Sequence, residues 1–261
     1  MQKFEFKNRH GLKIVGEIWM PENPLGLAFV MHGLGGYKEQ PHMQTIAKTF
    51  FETNYTVVNF DATNSFGESE GKYEDATMQL HYEDLVDVIN FAKTQDWYIE
   101  PFILAGHSLG GYAVGRYAED YPNEVKAVFP HALVVSGELS FKKYQDFKPE
   151  ELKEWQETGW QDRKSDSIKD LIKRLPYSHM EERLKHNLLP DVNKLTMPVL
   201  LVVGENDTSC PPDHQKILYD ALPKTTEREF HIIKDAPHTF RAPEHLQQLR
   251  DILDVWIKKL N

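Results

Sequence analysis

Short apolar runs recur along the chain, and each is followed by a stretch whose apolar residues return every three or four positions. Residues 27–31 (Leu-Ala-Phe-Val-Met), 55–60, 102–105, 125–135 and 198–203 are near-continuous apolar segments. Such runs predict strands covered on both faces, as in a parallel sheet. Residues 3–7 and 12–20 predict two further strands joined by a turn at Asn8-Arg9-His10-Gly11, the second alternating through Leu12, Ile14, Gly16 and Ile18. Residues 227–233 predict the last strand. Helical spacing marks residues 41–51 (Met43, Ile46, Ala47, Phe50, Phe51), about 77–95 (Leu80, Leu85, Val86, Ile89, Ala92), 111–118, 213–222 and 243–260. Strands alternating with helices at this interval predict a mainly parallel, doubly wound α/β sheet with helices on both faces.

One region breaks the alternation. Residues 138–190 carry dense mixed charge (Lys142, Lys143, Glu150, Glu151, Lys153, Glu154) among large aromatics, Phe141, Tyr144, Phe147, Trp155 and Trp160. Ile168, Leu171, Ile172 and Leu175 recur there at helical spacing. The segment is expected to form a small helical cap inserted into a core made of residues 1–137 and 191–261.

Chemistry concentrates in the loops that follow strands, where doubly wound sheets hold their ligands. Between the strand at 102–105 and a helix rich in small residues stands Gly106-His107-Ser108-Leu109-Gly110. A serine between glycines at a strand-to-helix turn has the pattern of a nucleophile elbow: the sharp turn lifts the hydroxyl, and the flanking glycines leave room for the backbone. Ser108 needs a base, and His238, in Asp235-Ala236-Pro237-His238 after the last strand, is the candidate. Asp207, in Gly204-Glu205-Asn206-Asp207 after the preceding strand, would orient the ring, with Glu205 and Asp213 as competitors. The chain order Ser, Asp, His is that of α/β-hydrolases. The amides of Leu109 and of Leu34, in His32-Gly33-Leu34-Gly35-Gly36, are candidates for an oxyanion hole.

The marks His32-Gly33-Leu34, Asp61 with Gly67-Glu68-Ser69-Glu70-Gly71, the Gly-His-Ser-Leu-Gly-Gly elbow, the segment around Asp207 and the segment around His238 resemble those of the α/β-hydrolase superfamily over nearly the whole chain. The stretch from His32 to His42, with the Gly-Glu-Ser-Glu-Gly loop and a compact insertion, resembles feruloyl (cinnamoyl) esterases and related bacterial carboxylesterases. That resemblance implies hydrolysis of small carboxylic esters, of short-chain acyl or hydroxycinnamoyl type, through an acyl-enzyme. Acyl thioesterase, monoacylglycerol lipase and carbon–carbon bond hydrolase share the same site, and a non-catalytic binding protein on the scaffold is the rival from another class. The chain departs from the pattern at Ala62-Thr63-Asn64-Ser65-Phe66, where relatives usually carry Arg-Gly, which puts the packing of that loop in question.

Other residues read more plainly. His107 is expected to pack, His32 to brace its loop, Asp61 to hold its loop through backbone amides, and Cys210 to be structural. The cap aromatics Phe141, Tyr144, Trp155 and Trp160 are weighed as pocket lining against simple packing of the cap. No His-Glu-x-x-His, Cys-x-x-Cys, dinucleotide or Walker pattern occurs, so neither metal nor cofactor is expected. Hydrophobic residues at 40% suffice for a sizeable core in 261 residues, and a net charge of -10 without a basic stripe argues against nucleic acid as partner. No apolar run is long enough to span a bilayer. The first residues lack the apolar core of a secretory signal, and a single cysteine excludes an internal disulfide, so the cytoplasm is the expected compartment. The expected partner is a small-molecule ester, and a homodimer is left open.

Overall fold

The computed structural model describes residues 1–165 and 168–261. In chain order, β1 (Gln2–Lys7) and β2 (Lys13–Trp19) form an antiparallel hairpin. They are followed by β3 (Gly26–Met31), α1 (Pro41–Glu52), β4 (Tyr55–Asp61), α2 (Met78–Ala92), β5 (Phe102–His107), α3 (Leu109–Asp120) and β6 (Val125–His131). An insertion then contributes α4 (Gly137–Phe147), α5 (Pro149–Thr158), β7 (Trp160–Lys164), β8 (Ile172–Pro176) and α6 (Ser178–Arg183). The core resumes with β9 (Val199–Gly204), α7 (Pro212–Ala221), β10 (Arg228–Ile233) and α8 (Pro243–Lys259). The main sheet has eight strands in the order β1-β2-β4-β3-β5-β6-β9-β10. Only β1/β2 and β2/β4 pair antiparallel; every other neighbouring pair is parallel.

Alternation along the central strands divides the core into two layers. Leu27, Phe29 and Met31 of β3, Phe102 and Leu104 of β5, and Val199 and Leu201 of β9 pack with α2, α3 and α7. The intervening Ala28, Val30, Ile103, Ala105, Leu200 and Val202 face α1 and α8. Burial on both faces is why these strands read as unbroken apolar runs. Helix starts follow local chemistry: Pro occupies the first turn of α1, α7 and α8. Thr77 Oγ1 caps α2 by accepting from Leu80 N at 3.0 Å, and Ser136 Oγ caps α4 by accepting from Leu139 N at 3.1 Å.

Two expectations change. The strand predicted to run to residue 135 ends at His131, because Ala132 turns to a φ of 45° and its amide crosses to the Val202 carbonyl. The helix expected from the spacing of Ile168, Leu171, Ile172 and Leu175 is absent. Residues 172–176 are instead β8, paired antiparallel with β7, and Asp170 before it takes a φ of 62° that a helix would not tolerate. Among the described residues the insertion is thus three helices plus a two-stranded hairpin. It leaves and rejoins the core at one point, where Gly137 N donates to His186 O and Leu188 N donates to Val135 O.

Candidate active site

The turn from β5 into α3 is built on close backbone approach. A Cβ at Gly106 would lie 2.3 Å from the Gly110 carbonyl oxygen, and one at Gly110 would lie 2.4 Å from that of His32, so both positions require glycine. Ser108 between them takes φ 56° and ψ -112°, outside the ordinary regions for a side-chain-bearing residue. Its amide donates to His131 O at 2.9 Å, and its carbonyl accepts from Tyr112 N and Val134 N, each at 3.1 Å. Three bonds therefore hold a conformation that costs about 1–3 kcal/mol. Although Ser108 is the N-cap of α3, its hydroxyl makes no capping bond.

The hydroxyl faces His238 instead. His238 Nε2 lies 3.0 Å from Ser108 Oγ, and His238 Nδ1 lies 2.7 Å from Asp207 Oδ2. A carboxylate only accepts, so Nδ1 carries the proton and Nε2 presents its lone pair to the serine. Asp207 is buried, yet its pKa lies below the usual carboxylate value. Burial pushes it up, but the His238 charge and hydrogen bond, with the amides of Cys210 and Ser209, outweigh that. Those amides reach Oδ1 at 2.8 and 2.7 Å. The competing acids are elsewhere. Glu205 Oε2 accepts from Asp235 N at 3.0 Å and so holds the histidine loop, while Asp213 sits in the first turn of α7.

Leu109 is the first residue of α3, where an amide has no carbonyl four residues back. Leu34 lies in a turn closed by Gly36 N donating to Gly33 O at 2.9 Å, with Gly35 at φ 59°. That turn abuts the elbow so closely that a Cβ on Gly33 would come within 2.8 Å of Ser108 Cβ. Both amides thus belong to segments that border the serine.

A cavity of about 220 Å³ opens above Ser108 and His238 between these loops and the insertion. Tyr144 and Trp155 line it, together with Tyr73, Val134 and Leu175. Trp160 and Phe141 are not among its walls. Trp160 is 39% exposed and stacks under the Arg174 guanidinium, whereas Phe141 packs beside the small core of the insertion and Phe147 projects into solvent. Trp160 is kept from the pocket because the hairpin turns it outward, and Phe141, on α4, because it packs against the core of the insertion. Even Trp155 is chiefly a packing residue, 2% exposed and donating from Nε1 to Leu175 O at 3.1 Å.

The residues around the site follow their plainer readings, with two additions. His32 braces its loop, facing Gly33 O through Nδ1 at 2.8 Å and accepting Ala62 N at Nε2 at 2.9 Å. His107 packs, but its Nε2 also meets the carbonyl of His238 at 3.0 Å, so it supports the His238 loop from below. Burial holds its pKa well below 6.5, which keeps the ring neutral. Cys210 is buried with its thiol in hydrogen-bond reach of Ser108. Asp61 accepts Lys38 N at 2.7 Å and Glu68 N at 2.9 Å, as expected of a loop-fixing acid. The unforeseen partner is the fully buried Lys38 ammonium, bound by Asp61, Glu39 and Glu68. Among the described residues these three acids stand close enough together to hold a cation, and Lys38 already fills that role.

The profile of the prolyl oligopeptidase family (Peptidase_S9) matches residues 41–261, which include the elbow, Asp207 and His238. The chain belongs to the prolyl oligopeptidase family. An uncharacterized 31.7 kDa protein from the traX-finO intergenic region of Escherichia coli is 24% identical over 264 residues, covering 89% of this chain and 90% of that one. The mitochondrial palmitoyl-protein thioesterase ABHD10 of Bos taurus is 26% identical over 207 residues, covering 79% of this chain and 65% of that one. Est1E from Butyrivibrio proteoclasticus, solved with ferulic acid bound, matches with a TM-score of 0.82 at 21% identity over 98% of both chains. The fold is therefore that of the α/β-hydrolases, and membership of this family supports a hydrolase. No helix among the described residues is long and apolar enough to cross a membrane.

Proposed function

We propose that this protein is a serine hydrolase that cleaves small carboxylic esters, of short-chain acyl or hydroxycinnamoyl type, through an acyl-enzyme. The observation that carries this reading is the unbroken line Ser108 Oγ, His238, Asp207, at 3.0 and 2.7 Å, on a serine held at a strained φ. Ser108 attacks the ester carbonyl while His238 Nε2 takes its proton, and Asp207 stabilises the imidazolium. The amides of Leu34 and Leu109 receive the negative charge that develops on the carbonyl oxygen. His238 returns the proton to the departing alcohol. A water then attacks the acyl-enzyme, with His238 again as base, and releases acid and free Ser108.

The cavity volume supports a small acyl group, since about 220 Å³ falls below the roughly 300–1,000 Å³ usual for drug-sized ligands. Est1E, bound to ferulic acid, fits the hydroxycinnamoyl reading. The thioesterase relative favours a second reading, in which the same attack expels a thiolate from a thioester. The insertion, residues 138–190 in this proposal, acts as the cap that bounds the acyl site.

Initial rates on p-nitrophenyl esters of increasing chain length, methyl ferulate, a monoacylglycerol and an acyl-CoA test the proposal. Wild type should prefer short acyl chains or methyl ferulate, and Ser108→Ala should remove that activity. Preference for the acyl-CoA would move the substrate to the thioester class. Rates unchanged in Ser108→Ala would end the reading.

A further inference from the structure

The cavity above Ser108 is walled by Lys143, Arg163, Lys164, Lys173, Arg183 and Arg241, and among the described residues by no aspartate or glutamate. This is a local excess of positive charge in a chain whose net charge is -10. Arg163 is held by Glu151 at 3.0 Å, Lys173 Nζ donates to Gly35 O at 3.4 Å, and Lys164 and Arg241 are exposed. Lys143 and Arg183 are different. Lys143, on α4, is 9% exposed; its ammonium sits 5.3 Å from the centre of the Tyr144 ring, and no described carboxylate forms an ion pair with it. Arg183, at the end of α6, spends Nη2 on His179 Nε2 at 2.9 Å, while its Nε is buried without an acceptor.

Neither neighbour supplies the missing negative charge. Burial lowers the His179 pKa to about 3, so that ring is neutral, and its Nδ1 faces Ala76 O at 2.7 Å. Asp207 acts on Lys143 across the cavity but is already bonded to His238. Lys143 and Arg183 line the same cavity as Ser108, Cys210 and His238, so both cations face the space a substrate would fill. Burying cations without a counter-charge opposes folding, and burial indeed lowers the Lys143 pKa. A retained pair of this kind suits a partner that arrives with the substrate: an ammonium as point charge and a guanidinium as planar fork together match a compact oxyanion.

We propose that Lys143 and Arg183 form an anion subsite in the catalytic cavity, and that the ester or thioester cleaved there carries a compact oxyanion, either a carboxylate or a phosphate. The inference rests on the serine-hydrolase reading and narrows its substrate class from neutral to anionic esters. It assigns specificity to the insertion through its charges, with the aromatics serving mainly as its core.

The test compares mono-p-nitrophenyl adipate with its methyl ester, two substrates that differ in one negative charge and share the same reacting bond. In wild type, kcat/KM for the half-ester should exceed that for the methyl ester by about tenfold. In Lys143→Met and Arg183→Met the ratio should fall toward one, mainly through KM. Thermal melts establish that each variant is folded, and if Arg183→Met is not, Lys143→Met and the wild-type ratio decide. Free adipate and inorganic phosphate, as competitors of p-nitrophenyl acetate hydrolysis, distinguish the two anion sources. A wild-type ratio at or below one, with p-nitrophenyl acetate still cleaved through Ser108, would overturn the subsite and leave the hydrolase reading standing. If no ester is cleaved through Ser108, the hydrolase reading fails, and calorimetric binding of adipate or phosphate to wild type but not to Lys143→Met still decides the subsite.

Discussion

A serine at the first turn of a helix ordinarily spends its hydroxyl on a backbone amide; Ser108 at φ 56° does not, and the hydroxyl is left to His238. The helix amides stay free of that hydroxyl, so in the proposed mechanism one backbone distortion would supply both the nucleophile and part of its charge stabilisation. Asp207 completes the line by accepting from two amides through one oxygen and from His238 through the other. Its value lies in fixing the tautomer. Asp207→Asn should therefore lower kcat by about 10⁴-fold while leaving the melting temperature close to that of wild type. A loss below tenfold, measured on the best ester of the panel, would mean that another acid orients the histidine.

At the scale of elements, the loop after β4 depends on a charge cluster. Lys38 is fully buried, and Asp61, Glu68 and Glu39 surround its ammonium. Burial pushes the Lys38 pKa down, but hydrogen bonds to Glu39, Glu68 and Asp61 raise it overall, and Lys38 and Lys3 together hold Glu68 down at about 2. Asp61 is itself fully buried, so removing the cation strands a carboxylate. Lys38→Met should cost about 3 kcal/mol in urea unfolding. Because Ala62 N in that loop braces His32, next to the Leu34 turn, the same variant should also lose ester hydrolysis. Unchanged unfolding would show the cluster to be dispensable.

The elements also show what a sequence can disclose. β3, β5 and β9 were legible because burial on both faces leaves apolar runs, and Ser108 and Asp207 because each stands in a short loop after such a strand; His238 stood out instead by its loop after the half-buried edge strand β10. β7 and β8 were not: all their residues but Leu175 are exposed or half-buried, half of them are charged, and Ile168, Leu171, Ile172 and Leu175 imitate a helix face. Lys143 and Lys38 were hidden for another reason. A lysine in a charged segment reads as solvated, and its burial depends on partners far along the chain. The Lys38 ion pairs to Asp61 and Glu68 span 23 and 30 residues, and the walls around Lys143 come from several loops.

For the whole molecule, six of the seven buried histidines dominate the response to acid. Burial lowers the pKa of His32, His42, His81, His107, His131 and His179 below 6.5, to about 3 for His81 and His179 and about 4 for His131. Below pH 6.5 the unfolded chain binds protons that the folded protein refuses, so stability falls as pH falls, by about 1 kcal/mol per histidine per pH unit. Two acids oppose this. Burial raises Asp84 to about 6 and Glu119 to about 8, so the folded state keeps protons there that the unfolded chain would lose, which favours folding as pH falls toward their unfolded values. Six groups outweigh two. Urea midpoints should drop steadily from pH 7 to pH 5, and a flat or rising profile would contradict neutral buried histidines.

The central claim is that Ser108 is a nucleophile activated by His238 and Asp207. Treating the native protein with a fluorophosphonate and mapping the adduct by peptide mass spectrometry tests it most directly, because the reagent bonds to an activated serine without requiring knowledge of the substrate. A single adduct on Ser108 should form, rapidly in wild type and slowly in Asp207→Asn. Labelling elsewhere, or none at Ser108, would contradict it.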